Sequence, residues 1–152
     1  MRKHKLLEER LTHSVIGAFF EVYNTLGFGF MEHIYEMALE RELRARGHRV
    51  GRQVAVQIYY KGDLLAEQRL DLIVDGKLVV ETKSAPQLHK SAPRQLYNYL
   101  RATTLEVGLL LHFGPEPQFF RLIAPKRDPP ASIRERPPAH NEHPSARGGN
   151  PG

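Results

Sequence analysis

The chain has 152 residues, a formal net charge of +5 and no cysteine. Its length favours one domain whose core needs no covalent cross-links. The missing thiols exclude disulfides, thiolate zinc sites and cysteine-held iron–sulfur clusters, and they favour a reducing, cytoplasmic environment. No apolar run approaches the ~20 residues that span a bilayer, and no secretory signal follows the basic residues 1–5, so we expect no membrane insertion. The mild positive charge weakly favours a polyanionic partner.

Two helices are predicted at the start of the chain. Apolar side chains recur at helical spacing from Leu7 to Leu26, which predicts an amphipathic helix that ends at the glycines around Phe28. A second helix is predicted over residues 31–46, with Gly47 as its C-terminal stop.

The rest of the body is predicted to be strands with one further helix, which has Pro93 in its first turn. The order is therefore α-α-β-β-β-α-β-β, which predicts an α/β fold with a mixed central sheet flanked by helices. The predicted strands cover residues 50–60, 64–74, 78–83, 105–113 and 118–124, and the helix covers residues 89–101.

Composition changes sharply near residue 125. Residues 125–152 hold 7 of the 11 prolines and almost no large apolar side chains. A segment of this kind cannot bury enough apolar surface to offset the entropy lost on folding. We therefore predict a folded domain over residues 1–124 and a disordered, proline-rich tail over residues 125–152.

Charged residues interrupt one strand that is otherwise apolar enough to lie inside the sheet. This strand, residues 78–83, carries Glu81 and Lys83, and interior strands rarely hold charges without a specific use. Because the two residues are two positions apart, their side chains project from the same face.

The preceding turn decides whether Asp71 joins this pair. Asp75 and Gly76 give a strong turn signal between the strands. A two-residue loop would send Asp71 and Glu81 to opposite faces of the sheet. A three-residue loop, with the glycine free to take a positive φ, keeps Asp71, Glu81 and Lys83 on one face, and we expect this loop. The alternative is a hairpin whose charges are solvated at a sheet edge.

This pattern is typical of a metal-dependent phosphodiesterase. Two carboxylates, Asp71 and Glu81, can hold a divalent cation, while Lys83 serves the reacting phosphate. Gln95 and Tyr99 follow at a spacing of four residues and so share one face of the next helix.

The sequence also resembles a known family. Residues 29–35, with Gly29, Glu32 and Tyr35 at fixed spacing, match the signature of the GxxExxY proteins, a bacterial branch of the PD-(D/E)XK nuclease superfamily. The resemblance covers about residues 10–124. It continues through Gln53, the Tyr60-Lys61-Gly62 turn, Asp71 to Val74, Glu81-Thr82-Lys83, Gln95, Tyr99-Leu100 and Leu110 to Gly114.

The resemblance implies a Mg²⁺-dependent nuclease core, with Mn²⁺ as an alternative ion. It implies that Asp71 and Glu81 are metal ligands, with the Thr82 carbonyl as a third. Lys83 would orient the attacking water or offset charge in the transition state. Glu32 would hold a metal-bound water or a second ion.

Gln95 and Tyr99 resemble the Gln-x-x-x-Tyr element of the exonuclease-like branch, which would position the phosphate or a flanking base. Simpler interpretations stay open. Glu32 can serve the helix dipole as a first-turn residue, Tyr35 can serve packing, and Gln95 and Tyr99 can be the polar edge of an ordinary amphipathic helix.

Two functions therefore remain. The leading hypothesis is hydrolysis of phosphodiester bonds in DNA or RNA. The alternative is a catalytically silent module on the same fold that binds nucleic acid or a protein partner. Since a domain of this size offers little surface for substrate recognition, a homodimer or a partner protein would extend it.

Overall fold

The computed structural model describes residues 8–126. The predicted tail, residues 125–152, therefore lies outside the described residues except for its first two. Within the described part, no helix is both long and apolar enough to cross a membrane. The elements follow the predicted order: α1 (Glu9–Leu26), α2 (Glu32–Ala45), β1 (Val50–Tyr60), β2 (Asp63–Val74), β3 (Leu78–Lys83), α3 (Ala92–Arg101), β4 (Val107–Phe113) and β5 (Pro117–Ile123).

The five strands form one mixed sheet in the order β1-β2-β3-β4-β5. Every neighbouring pair is antiparallel except β3 and β4, which are parallel. A parallel pair needs a crossover connection, and α3 supplies it. The predicted α/β fold with a mixed sheet flanked by helices is confirmed.

Apolar side chains cover both faces of the sheet. Val15 and Phe19 of α1 and Leu39 of α2 pack on one face, and Leu96 and Leu100 of α3 pack on the other. The two central strands, β3 and β4, are buried almost throughout, as expected for strands covered by helices on both faces. The molecule is thus three layers: α1 with α2, the sheet, and α3.

The hairpin between β2 and β3 has the predicted three-residue loop. Val74 pairs with Leu78, so residues 75–77 form the connection. Asp75 and Gly76 both take left-handed conformations, with φ of 53° and 64°. Asparagine and aspartate tolerate this conformation better than most residues, and glycine adopts it without steric cost. The sheet register that follows is the one required to put Asp71 opposite Glu81.

Side-chain contacts hold this turn against the rest of the domain. The Arg49 N–H donates to Asp75 Oδ1, and His48 Nδ1 lies 2.8 Å from Asp75 Oδ2. The other ring nitrogen, Nε2, lies 2.7 Å from the Ser14 hydroxyl on α1. The hydrogen bonds that connect Ser14, His48 and Asp75 therefore link the first helix to the hairpin that carries the charged residues.

The pairing of β1 with β2 is irregular opposite Asp71. Regular pairs flank the irregularity on both sides, but Gln53 has a φ of 51° and drops out of the ladder. Leu70 packs beneath α3, whereas Leu72 packs beneath α1 and α2. Residues two apart normally share a face, so the strand turns over at Asp71. Such local distortions are common beside functional sites.

Candidate active site

Asp71 and Glu81 lie where β2 and β3 separate. The two strands pair only through residues 72–74 and 78–80, after which each continues with a different neighbour. The Asp71 N–H donates to Glu81 Oε1 at 3.1 Å. The Asp71 Oδ2 accepts hydrogen bonds from the Thr82 N–H at 2.8 Å and from the Thr82 hydroxyl at 3.0 Å. Side chains thus replace the backbone ladder at this point and bring the two carboxylates together.

A small polar cavity of about 180 Å³ opens beside this pair. Six of the seven candidate residues lie on the wall of this cavity. The seventh, Thr82, is hydrogen-bonded to Asp71. The six are Glu32, Asp71, Glu81, Lys83, Gln95 and Tyr99.

The side chains that line the cavity project from the facing sides of β3 and α3. Val79 packs in the core beneath α3, so Glu81 and Lys83, at the same parity, also project from the α3 face of β3. On α3, Leu96 and Leu100 are buried against the sheet, while Gln95 and Tyr99 point along the edge of that contact into the cavity. The predicted grouping of Glu81, Lys83 and the glutamine–tyrosine pair is present.

Glu32 reaches the cavity from the start of α2, where a tightly held loop places it. The buried Tyr35 hydroxyl donates to the Gly27 carbonyl at 2.5 Å and accepts from the Phe30 N–H at 3.2 Å. Its ring stacks on Phe113, with centroids 4.1 Å apart. Tyr35 therefore serves packing and loop geometry, as the simpler interpretation predicted.

The loop is also bonded to the strand that carries the lysine. The Ser84 hydroxyl, next to Lys83 in the chain, donates to the Phe30 carbonyl at 2.5 Å. Gly29 sits in this loop with a φ of 111°, a conformation that a side chain would strain. Gly29, Glu32 and Tyr35 therefore belong to one hydrogen-bonded loop and helix start, and this arrangement holds Glu32 beside β3.

Burial and mutual repulsion dominate the electrostatics of the site. Burial, then the charge of Asp71, raises the pKa of Glu81 to about 8, although Lys83 opposes the shift. Burial also raises the pKa of Glu32, and Asp71 adds to this while Lys83 again opposes it. A cluster of carboxylates that resists ionisation in this way is suited to a bound cation, which would remove the repulsion.

The matches to known proteins agree with this geometry. The sequence profile of the PD-(D/E)XK nuclease superfamily matches residues 9–122. The chain belongs to this superfamily. The crystal structure of SSO0001 is similar to it in fold, with a TM-score of 0.51 and 22% sequence identity. The similarity covers 63% of this chain and 52% of that one, so the chain spans about half the length of that protein. No curated protein matches significantly.

Nucleases of the PD-(D/E)XK superfamily generally use divalent metals. The side chains at this site can therefore be compared with the ligands that such an ion requires. Among residues 8–126, no group of three or more His, Cys, Asp or Glu side chains is arranged to hold a metal ion. In the same part of the chain, Asp71 Oδ1 and Glu81 Oε2 make no hydrogen bond. The pair fits a hard cation that takes its other ligands from a backbone carbonyl, substrate and water.

Two further polar residues line the cavity of this PD-(D/E)XK domain and were not predicted from the sequence. Gln68 and Arg69 lie on β2 just before the candidate aspartate. The Arg69 guanidinium donates to the Gln53 carbonyl, and through it β1 supports the cavity wall. The sequence did offer a signal for Arg69, because a cationic residue two positions before the candidate aspartate could contact a phosphate. However, Arg69 falls on an exposed run of β2 that looks like ordinary solvated strand.

Proposed function

We propose that the protein is a cytoplasmic, Mg²⁺-dependent nuclease of the GxxExxY branch that hydrolyses phosphodiester bonds in DNA or RNA. One observation carries the proposal. The separation of β2 from β3 brings Asp71 and Glu81 together on the wall of a polar cavity that also contains Lys83. Ionising both carboxylates there without a counterion is costly, because burial alone already opposes the charge on Glu81.

The cation site consists of the Asp71 and Glu81 carboxylates with the Thr82 carbonyl as a third ligand. Oxygen donors of this kind suit Mg²⁺, with Mn²⁺ as an alternative. When bound, the ion supplies polarisation of the phosphoryl oxygen and a lowered pKa for water. Asp71 is oriented for this task by two hydrogen bonds from Thr82.

The remaining side chains act on the phosphate and on water. Lys83 places a positive charge where the transition state gains negative charge. Gln95 and Tyr99 offer an amide and a hydroxyl from one face of α3, so they orient the phosphate or a flanking base. Glu32 has a raised pKa at the cavity wall and holds a water beside the carboxylate pair.

A second candidate function is a catalytically silent module that binds nucleic acid or a protein. The observation that favours it is the incomplete set of side-chain ligands among residues 8–126. The raised pKa of Glu81 is equally compatible with a site that has lost its metal. Only an activity measurement separates the two functions.

The test is incubation of the purified protein with circular single-stranded DNA, circular double-stranded DNA and RNA. Each substrate is combined with Mg²⁺, Mn²⁺ or EDTA, and the Glu81→Gln variant is run in parallel. The proposal expects cleavage with Mg²⁺ or Mn²⁺ that EDTA and the substitution both abolish. Cleavage of closed circles identifies an endonuclease. Binding of any substrate without cleavage under every condition supports the silent module.

A further inference from the structure

Three large apolar side chains are exposed in four consecutive residues before α2. Phe28 is 45% exposed, Phe30 is 46% exposed and Met31 is 71% exposed. Such a cluster costs free energy in water unless a ligand or partner covers it. We call residues 28–31 the rim loop.

The rim loop is fixed in place at Phe30. Its N–H is bonded to the Tyr35 hydroxyl and its carbonyl to the Ser84 hydroxyl. Its ring meets the ring of Tyr35 edge-on, with centroids 6.0 Å apart. An aromatic ring that is held on both sides and half exposed loses little further entropy when it binds a ligand.

The rim loop is continuous with the candidate active site. Met31 immediately precedes Glu32, which lines the cavity. Phe30 is bonded to Ser84, which immediately follows Lys83. A ligand whose phosphate lies at Lys83 therefore extends over or beside the rim loop.

The lining of the cavity indicates which part of the ligand meets this loop. The wall is mostly polar and charged, so it suits a phosphate group with its solvent and offers little contact to the apolar face of a nucleobase. The bases that flank the phosphate are therefore expected to lie outside the cavity. A paired base presents only its edge, whereas an unpaired base offers an apolar face to aromatic and thioether side chains.

Building on the proposed function, we propose that the rim loop stacks unpaired nucleobases beside the scissile phosphate. The substrate class is thus single-stranded nucleic acid or the unpaired part of a branched or frayed duplex. Phe30 supplies the aromatic platform, and Phe28 and Met31 supply adjoining apolar contact. The cavity also holds the carboxylates of Glu32, Asp71 and Glu81, but with the proposed cation bound, the ion, Lys83 and Arg69 together outweigh them. This positive balance favours a polyanion over an apolar protein segment as occupant.

The test measures binding separately from cleavage. With Ca²⁺ in place of Mg²⁺ to slow cleavage, fluorescence anisotropy gives the affinity of the parent chain for a single-stranded oligonucleotide and for the matching duplex, each as DNA and as RNA. Phe30→Leu and Met31→Ala are compared with Phe119→Ala. Phe119 is similarly exposed, at 42%, but its ring packs edge-on against Phe20 of α1, on the opposite side of the sheet from Glu81. Thermal melting confirms that each variant folds.

The proposal expects single-strand affinity to weaken on the order of tenfold in both rim-loop variants, as expected when one base loses its stacking partner. Duplex affinity and the Phe119→Ala protein should change less than about twofold. Equal affinity of parent and rim-loop variants for the single strand would overturn the proposal while leaving the nuclease function intact, and would point to a protein partner for the loop. Failure of the parent to bind either oligonucleotide would overturn both.

Discussion

Asp71 and Glu81 have a structural role in addition to their candidate chemistry. Each carboxylate accepts a hydrogen bond from the backbone of the other's strand where the ladder stops. The shared face of Glu81 and Lys83 could be predicted from strand parity alone. The burial of Glu81, which is only 7% exposed, could not be predicted, because it depends on α3, which covers the strand but begins 11 residues further along the chain.

The raised pKa of Glu81 predicts that metal-free Glu81→Gln is more stable than the parent at neutral pH. The unfolded carboxylate titrates near 4.5 and the folded one near 8, so the parent loses stability as pH rises between these values. Glutamine keeps an oxygen for the Asp71 N–H and does not titrate. The expected gain at pH 7 is on the order of 3 kcal/mol, because pH 7 lies about 2.5 units above the unfolded pKa and each unit contributes about 1.4 kcal/mol. Urea denaturation in EDTA from pH 4 to 9 measures it.

The same substitution at Glu116, an exposed residue in the β4–β5 turn, provides a matched control. It should leave the free energy of unfolding unchanged over the whole range. A Glu81→Gln protein that is clearly less stable than the parent in EDTA would show that this carboxylate is structural. The explanation of its burial by metal binding would then be wrong.

Tyr35→Phe should destabilise the protein while leaving its core packing intact. The substitution removes only the hydroxyl that bonds Gly27 and Phe30, and it keeps the ring stacked on Phe113. Loss of these hydrogen bonds should cost about 1–2 kcal/mol in the free energy of unfolding. Chemical denaturation measures this. An unchanged free energy of unfolding would mean that the ring alone places the loop before Glu32.

The β2–β3 hairpin is the element whose geometry decides the site. Its three-residue loop could be predicted from the Asp-Gly pair and from the demand that Asp71 and Glu81 face each other. Its anchoring could not, because His48 and Ser14 are distant from Asp75 in sequence. The left-handed Gln53, which interrupts β1 opposite Asp71, was equally unpredictable since glutamine has no preference for that conformation.

Asp75→Asn should weaken this anchoring in a pH-dependent way. Burial opposes the charge of Asp75, but the hydrogen bonds from His48 and the Arg49 N–H outweigh it and lower its pKa. The depressed pKa contributes stability above the unfolded value of about 3.9, and this is lost as pH falls through the folded pKa. We expect the variant to be about 1 kcal/mol less stable at pH 7, and we expect this difference to be smaller at pH 3.

Urea denaturation at both pH values tests this prediction, and Asp63→Asn, at the exposed start of β2, is the control. A difference between Asp75→Asn and the parent that persists undiminished at pH 3 would contradict the assignment. The charge of Asp75 would then not be what holds the turn.

At the scale of the whole molecule, apolar periodicity and turn residues were sufficient to predict the element order and the mixed sheet. The boundaries shifted where local contacts intervene. The helix predicted from residue 89 begins at Ala92, since the Ser91 N–H and hydroxyl are bonded to the His89 ring. The strand predicted from residue 105 begins at Val107, because Thr103 and Leu105 form a hydrogen-bonded turn after α3.

The tail stays a prediction, and truncation tests it. Lys126 donates to the Leu100 and Thr103 carbonyls at 2.8 Å each and so caps the C-terminal end of α3. A chain ending at residue 126 should melt within a few degrees of the full chain, since the removed residues have almost nothing apolar to bury. A chain ending at residue 124 should melt lower. A large loss already at residue 126 would show that the tail docks on the domain.

The most direct test of the proposed site measures Mg²⁺-dependent cleavage and the Mg²⁺-induced shift in melting temperature. Both are compared among the parent, Glu81→Gln, Lys83→Ala and the control Glu116→Gln. The proposed site predicts that Glu81→Gln loses both cleavage and the shift. Lys83→Ala should keep the shift but lose at least about a hundredfold in rate, as expected for removal of one transition-state contact. Glu116→Gln should match the parent. Undiminished Mg²⁺-dependent cleavage by Glu81→Gln would contradict the proposed site.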